Sequence, residues 1–218
     1  MRYAEITPEL LDSAFTYTSY RAYVSQLLAK QQTTGANQTK ELVEYTRLNE
    51  ARMNRLDKTF EIEEYFALQL AAQPNNLLFL SITEAWCGDA AQVLPILEKL
   101  IASRQGWQHK IILRDEHPQI MDHFLTNGKS RSIPVTIALN QETLEVIGWW
   151  GPRPSGAQQL IDDLKQQDAD METVKTRLHA WYAADKGRQI SQEWVARLVM
   201  SVLAKPLHQS RPARQEAA

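Results

Sequence analysis

The only cysteine of the 218-residue chain, Cys87, lies where a predicted strand turns into a predicted helix. Residues 77–82 form an apolar run that is long enough for a buried strand and too short for a membrane span. Apolar side chains then recur at helical spacing from Ala90 to Ile101. At the start of a helix, unpaired N–H groups and the positive end of the helix dipole favour a thiolate. The position therefore indicates a reactive cysteine, and the alternative interpretation is a small buried packing residue.

The segment that begins with Trp86, Cys87, Gly88, Asp89 and Ala90 resembles the active-site helix of the thioredoxin family. In that family a Trp-Cys-Gly-Pro-Cys turn opens a helix with a proline eight residues after the first cysteine, and Pro95 has this spacing. Proline is costly inside a helix, so its position is informative. Ile133-Pro134 resembles the second landmark of the family, a cis peptide that opens a strand facing the cysteine. The resemblance implies an α/β, thioredoxin-like fold with a central mixed sheet flanked by helices.

The pattern along the chain predicts four segments. Residues 1–73 are predicted to form an N-terminal helical extension, with one helix starting at Thr7-Pro8 and another near Gln38. The apolar face predicted for the second of these helices consists of Leu42, Tyr45, Leu48, Met53 and Leu56. Residues 74–168 show the thioredoxin order of strand, helix, strand, helix, hairpin and helix. Residues 169–204 are predicted to form a C-terminal helical pair, and the polar residues 205–218 a flexible tail.

Three departures from ordinary thioredoxin bear on the chemistry. Ala90 stands where the family has its second, resolving cysteine, and Ser81 stands where it has a buried aspartate that assists that cysteine. The Trp-Cys-Gly-Asp-Ala turn with helical flanks is similar to a single-cysteine branch of the thioredoxin-like superfamily. The resemblance therefore implies a one-cysteine mechanism or a loss of redox chemistry. Without a second cysteine, Cys87 can form a mixed disulfide but needs an external thiol to release it.

Asp89, the third departure, replaces the proline of the family turn. It is interpreted as a proton acceptor beside the thiol, as a helix cap, or as both. The helix terminus favours the Cys87 thiolate by about 0.3–1 kcal/mol, while a nearby carboxylate opposes it. We therefore predict a Cys87 pKa of roughly 7 to 8, modestly below the value of about 8.5 for a free cysteine.

The resemblance also implies a substrate surface around Cys87. The Ile133 backbone would pair with an incoming extended peptide, and Pro134 would complete the wall opposite the thiol. Arg131 and Arg153 are candidates for charge recognition, although a surface arginine is the simpler interpretation of Arg131. The candidate catalytic residues are Cys87 and Asp89, and the candidate substrate-binding residues are Trp86, Gly88, Arg131, Ile133, Pro134, Trp149 and Arg153.

Charge and composition exclude several other classes of function. The chain has 24 lysine and arginine residues against 26 aspartate and glutamate residues, so it lacks the basic field of a nucleic-acid-binding protein. No apolar run approaches membrane length, and the first residues lack the apolar region of a signal peptide. The five histidines lack metal-ligand spacing, so we expect no metal site and no cofactor apart from a small thiol as co-substrate. One cysteine cannot form an internal disulfide, which fits a reducing, cytoplasmic location.

Two function hypotheses remain open. The first is a monothiol enzyme that exchanges disulfides or removes small-thiol adducts through Cys87, with protein disulfides or adducts and a small cytosolic thiol as its partners. The second is a non-redox module that uses the thioredoxin groove to hold a protein partner. The first hypothesis predicts a reactive Cys87, whereas the second predicts binding that survives replacement of Cys87 by serine.

Overall fold

The computed structural model describes residues 1–203, and the predicted tail at 205–218 lies outside the described residues. The helices are α1 (Pro8–Ser13), α2 (Tyr17–Ala29), α3 (Lys40–Thr59), α4 (Glu64–Ala71), α5 (Gly88–Ala102), α6 (Pro118–Met121), α7 (Ser155–Gln166), α8 (Met171–Asp185) and α9 (Arg188–Leu203). The strands are β1 (Leu77–Thr83), β2 (Gln108–Leu113), β3 (Val135–Asn140) and β4 (Val146–Trp150).

The strands form one mixed sheet in the order β2-β1-β3-β4. Strand β1 pairs with β2 in parallel and with β3 antiparallel, and β3 pairs antiparallel with β4. The parallel pair requires a crossover connection, which α5 supplies, while β3 and β4 are joined as a hairpin. The succession β1, α5, β2, α6, β3, β4, α7 confirms the predicted α/β, thioredoxin-like fold with helices at both ends of the chain.

Helices cover both faces of the sheet, and this explains why every residue of β1 is buried. Side chains alternate between the faces along a strand. Leu80 therefore packs in a cluster with Tyr20 and Val24 of α2, whereas Phe79 packs in the opposite cluster with Trp194 of α9. Helices α2 and α9 thus lie on opposite faces of the same sheet, and α4 of the N-terminal extension packs on the α9 side.

The first helical stretch of the N-terminal extension forms two helices, α1 and α2, which the sequence pattern did not predict. The predicted start at Thr7-Pro8 is confirmed, because the Thr7 side chain accepts the N–H of Leu10 and Pro8 is the first helical residue. Helix α1 nevertheless ends at Ser13, and Phe15 forms a bridge with Ile111 at the edge of β2 before Thr16 caps α2. A tertiary contact with the sheet edge therefore divides the stretch into two helices.

The apolar face predicted for α3 is wrong in its first half. Leu48 is 52% exposed, and the buried face instead contains Thr46 and Asn49 before it reaches Met53 and Leu56. Polar side chains occupy this face because each has a buried partner. Thr46 contacts the Thr33 hydroxyl at 2.5 Å, and the Asn49 amide donates to the Ala85 carbonyl at 2.9 Å. Helix α3 thus packs on the loop that leads to the cysteine through hydrogen bonds as well as apolar contact.

Within residues 1–203, none of the helices combines the length and the apolar character that crossing a membrane requires.

Candidate functional site

Cys87 is the capping residue at the start of α5, immediately after the turn that follows β1. Its Sγ accepts a hydrogen bond from the Ala90 N–H at 3.4 Å. The thiol itself donates to the Ile133 carbonyl oxygen at 3.2 Å. Only 8% of the residue is exposed, so Cys87 lies against the site wall rather than in an open cleft.

The wall opposite the thiol is the Ile133-Pro134 peptide, which is cis as the resemblance implied. Ile133 is 5% exposed and its carbonyl accepts the Cys87 thiol proton. A second cis peptide, Gly151-Pro152, follows β4. A Cβ at Gly151 would lie 2.2 Å from the Pro134 carbonyl oxygen, and its φ of +139° is unfavourable for other residues. Glycine therefore allows the two cis-proline segments to approach each other beside the cysteine.

The predicted pKa of 7 to 8 for Cys87 is wrong. Burial raises the pKa of the Cys87 thiol to about 12, and the neighbouring Asp89 carboxylate adds to the effect. The N–H groups of Ala90 and Asp89 and the Arg153 guanidinium act in the opposite direction. A helix terminus changes a pKa by only about one unit, which is less than the cost of ionising a thiol away from water. The resting state of Cys87 is therefore a neutral thiol.

Asp89 lies in the first turn of α5, and it is not the cap, because the Cys87 side chain has that position. Its carboxylate accepts two hydrogen bonds from Arg153, one from Nε at 3.0 Å and one from Nη2 at 2.6 Å. The Tyr182 hydroxyl of α8 donates to the other oxygen at 2.6 Å. We call these three residues the Asp89 cluster. Arg153 therefore binds a carboxylate of its own chain, that of Asp89.

The burial of the cluster makes each contact strong. The Asp89 side chain is 8% exposed and that of Arg153 is 20% exposed. The Asp89 carboxylate holds the pKa of Arg153 above its usual value despite burial, and burial raises the pKa of Tyr182 well above its usual value. Arg153 also donates to Gln158 of α7 at 2.9 Å. The cluster thus connects α5, the loop after β4, α7 and α8.

The N-terminal extension holds the turn on its other side. The Ala85 N–H donates to the Thr34 hydroxyl at 2.8 Å, and its carbonyl accepts from the Asn49 amide at 2.9 Å. Arg52 in turn donates to the Asn49 side-chain oxygen at 2.8 Å. Sequence reasoning missed Thr34 in the loop before α3 and Asn49 on α3, because a polar residue gives no sign of the distant backbone group that it binds.

The C-terminal extension covers the start of α5. His179 of α8 lies so close to Gly88 that a Cβ there would be 3.1 Å from the imidazole. Burial and the nearby Arg52 guanidinium lower the pKa of His179 to about 4, so the ring is neutral at physiological pH. Sequence reasoning also missed His179 and Tyr182, which are 92 and 95 residues beyond Cys87 in the chain.

Two buried polar residues of the turn and of β1, Glu84 and Ser81, have side chains that bond groups other than the Cys87 thiol. Glu84 is fully buried, its carboxylate accepts the Asp115 N–H at 2.9 Å, and burial raises its pKa. Ser81 bonds to Thr136 and His109, each at 2.8 Å, and His109 contacts Glu98 at 2.8 Å. Ser81 thus belongs to a polar chain that runs across the sheet towards α5.

The remaining predicted substrate residues lie at the edges of the site. Trp86 is half-buried with the Arg114 guanidinium 4.9 Å above its ring, and Trp149 meets Phe124 edge to face at 6.1 Å. Arg131 forms a bidentate pair with Asp122 on the surface. The structure therefore places Gly88, Asp89, Arg153, Ile133 and Pro134 around Cys87, whereas the guanidinium of Arg131 is bound to Asp122.

A groove of about 910 Å³ lies on the side of the two cis-proline segments. It is lined by Ser130 and Ser132 before Ile133, by Trp149 and Trp150, and by the loop that carries Arg153. Helix α9 closes its far side with Arg197 and Met200. Among residues 1–203, no group of three or more histidine, cysteine, aspartate or glutamate side chains is arranged to hold a metal ion.

The mixed sheet, the single cysteine at the start of a helix and the cis-proline opposite that cysteine are the features of a thioredoxin-like protein. The family model described as Thioredoxin matches residues 35–165, which is more than half of the chain. The chain belongs to this family.

Two solved structures share the fold. One is a protein of unknown function from Pseudomonas aeruginosa, with a TM-score of 0.60 and 15% identity over 91% of this chain and 97% of that one. The other is an HIV epitope-scaffold, with a TM-score of 0.58 and 13% identity over 94% of this chain and 100% of that one. A search of curated proteins finds no match. At these identities, the likeness shows the fold alone.

The Asp89 cluster predicts a large stability difference between two chemically identical substitutions. Asp89→Asn removes the charge that compensates buried Arg153, so we expect the free energy of unfolding to fall by about 3 kcal/mol. Asp122→Asn breaks an aspartate–arginine pair with two hydrogen bonds on the surface, where we expect little change. Urea unfolding of both variants measures the difference, and equal losses would show that the Asp89 cluster is not a buried support.

Proposed function

We propose that the protein is a thioredoxin-fold binding module that holds an extended protein segment along its cis-proline groove, with Cys87 as a resting thiol. The observation that carries this proposal is the hydrogen bond from the buried Cys87 thiol to the Ile133 carbonyl. A thiol that donates a proton to a backbone acceptor is neutral and is not poised to attack a disulfide.

The ionisation of Cys87 supports the same conclusion. With its pKa raised to about 12 by burial, the thiol is protonated at pH 7, whereas about 3% of a free cysteine is ionised. The chain also has no second cysteine, since Ala90 occupies the place of the resolving thiol. A mixed disulfide at Cys87 would therefore form slowly and could not be released within the molecule.

The charge of the groove favours an acidic partner segment. Lys129, Lys165 and Arg197 line it, and none of the three forms an ion pair with a described residue. The two acidic side chains of the groove, Asp162 and Glu193, already accept hydrogen bonds from Gln158 and Ser155 respectively. Trp149 and Met200 add apolar surface between the cations. Extended segments with glutamate or aspartate beside apolar residues match this lining.

Monothiol exchange is the second candidate, because Cys87 occupies the thioredoxin position at the start of α5 and opposite the cis-proline. In that reaction the Cys87 thiolate attacks one sulfur of a disulfide, and the other sulfur leaves as a thiolate. A small cytosolic thiol then attacks the mixed disulfide and regenerates Cys87. The reaction requires an opening that breaks the bond to Ile133, exposes the sulfur and lowers its pKa.

Alkylation with iodoacetamide distinguishes the two candidates. We expect the folded protein to react at least 100-fold more slowly at pH 8 than the same protein in urea, because burial both shields the thiol and keeps it protonated. Cys87→Ser provides the blank. A variant with both Cys87→Ser and Ser130→Cys presents an exposed thiol on the cis-proline loop and serves as the reactive control. Fast alkylation of folded wild-type protein with a midpoint below pH 8.5 would reject the resting thiol and support monothiol exchange.

The binding function is tested with a fluorescent extended peptide in which glutamate alternates with valine and leucine. We expect equal affinity for wild-type protein and Cys87→Ser, and at least a tenfold loss for the double variant Lys165→Glu and Arg197→Glu, because the groove loses its positive charge. Arg55→Glu with Lys58→Glu, a reversal of two exposed charges on α3, is the matched control. Loss of binding in Cys87→Ser, or equal binding by both charge-reversed proteins, would contradict the proposal.

A further inference from the structure

Two cavities lie end to end between α3 of the N-terminal extension and α8 of the C-terminal extension. The inner cavity has a volume of about 300 Å³ and reaches the Trp86 and Gly88 turn. The outer cavity has a volume of about 550 Å³ and opens to solvent past Arg52 and Thr176. Tyr45, Lys175 and His179 line both of them, and we call the combined space the α3–α8 crevice.

We infer that the α3–α8 crevice binds a small organic anion with an apolar or aromatic body. Its volumes fall in the range of about 300–1,000 Å³ that is usual for small-molecule sites. The crevice is built by the two extensions and lies on a different side of the turn from the cis-proline groove. The inference therefore does not depend on whether the groove binds a peptide or Cys87 reacts.

The anionic character of the ligand follows from two cations in the crevice. Arg52 is half-buried, donates to the Asn49 side-chain oxygen at 2.8 Å, and forms no ion pair with a carboxylate among residues 1–203. Burial lowers the pKa of Arg52, because no nearby carboxylate in the part of the chain that the structure describes offsets the cost of keeping a charged guanidinium away from water. The Lys175 ammonium is held 4.5 Å from the centre of the Tyr45 ring and likewise lacks a carboxylate partner in the described chain. A ligand carboxylate, sulfonate or phosphate would supply the missing charge.

Three of the four acidic residues of the crevice lie at its rim, and the fourth, Asp89 in the inner cavity, already has its charge compensated by Arg153. Glu41, Glu44 and Glu172 line the outer cavity but are exposed, whereas Arg52 and Lys175 are half-buried. Water screens the exposed carboxylates more strongly than it screens the half-buried cations. The interior of the crevice is therefore more favourable for an anion than a simple count of the acidic and basic lining residues indicates.

The organic body of the ligand follows from the inner cavity. Its walls include Leu42 and Leu178 on facing helices and the Trp86 ring at the end. His179 lies between the apolar walls and the cations, and its neutral ring can give or accept one hydrogen bond. An inorganic ion would leave the apolar walls unused, whereas a carboxylate with a ring or an acyl chain would occupy both parts.

The probe for this inference is anilinonaphthalene sulfonate, an aromatic sulfonate whose fluorescence rises when water is excluded. We expect saturable binding of one molecule per chain to the full-length protein. The double variant Arg52→Gln and Lys175→Gln should weaken it by roughly tenfold or more, because two charge-assisted contacts are lost. The matched control is Arg55→Gln with Arg177→Gln, which removes one exposed cation from each of the same two helices and should leave the affinity unchanged.

Lys175→Gln alone serves as the deciding variant if the loss of Arg52 unfolds the protein, because Lys175 makes no hydrogen bond to the turn. Competition then tests the ligand class: hexanoate or benzoate should displace the probe, and inorganic phosphate at the same concentration should not. Absence of saturable binding, equal binding by the site and control variants, or displacement by phosphate alone would each overturn the inference.

Discussion

The buried ion pair between Asp89 and Arg153 is the interaction on which the site depends most. It connects the first turn of α5 to the loop after β4, and the Tyr182 hydroxyl extends it to α8. In ordinary thioredoxins a proline stands at the position of Asp89. Here a buried carboxylate stands beside the cysteine, and a buried charge is tolerated only with a close partner of opposite sign. Arg153 is that partner.

Both helical extensions contact the cysteine turn, and the C-terminal one does so through Asp89. Tyr182 brings α8 against the start of α5, where a Cβ at position 88 would lie 3.1 Å from the His179 imidazole. On the other side, Thr34 and Asn49 bind both backbone groups of Ala85. The turn that an ordinary thioredoxin exposes to its substrates is thus held between two layers of helix. The burial of the Cys87 thiol, and with it the raised pKa, results from this arrangement.

The sequence was sufficient to predict the sheet and the position of the cysteine, because those depend on local pattern. The apolar run at 77–82, the spacing of Pro95 and the Ile133-Pro134 pair are short-range signals that the structure confirms. The environment of Cys87 depends instead on residues far away in the chain. Its predicted pKa considered the helix dipole and Asp89 but not burial in a cluster with Tyr20, Met53 and Ile133, which are 34 to 67 positions away.

The difference between local pattern and long-range contact also explains why the predictions for the buried face of α3 and for the partner of Arg153 were wrong. Leu48 was expected on the buried face because apolar periodicity was the only guide, whereas Asn49 is buried through a hydrogen bond to a residue 36 positions away. Arg153 was expected to recognise a carboxylate of the substrate, and the structure shows it bound to the carboxylate of Asp89. No sequence pattern indicates that the carboxylate is Asp89, since the two residues are 64 positions apart and meet only after the sheet has formed.

The most direct test of the central claim is an NMR titration of protein labelled with ¹³C at the Cβ of cysteine. Because Cys87 is the only cysteine, the spectrum contains a single signal that reports its ionisation. The account predicts that this signal does not move between pH 6 and about pH 10 while the protein remains folded, because burial favours the neutral thiol. A titration midpoint between about pH 7 and 8.5 would contradict the account, because the thiol would then be ionised as readily as an exposed cysteine at a helix start.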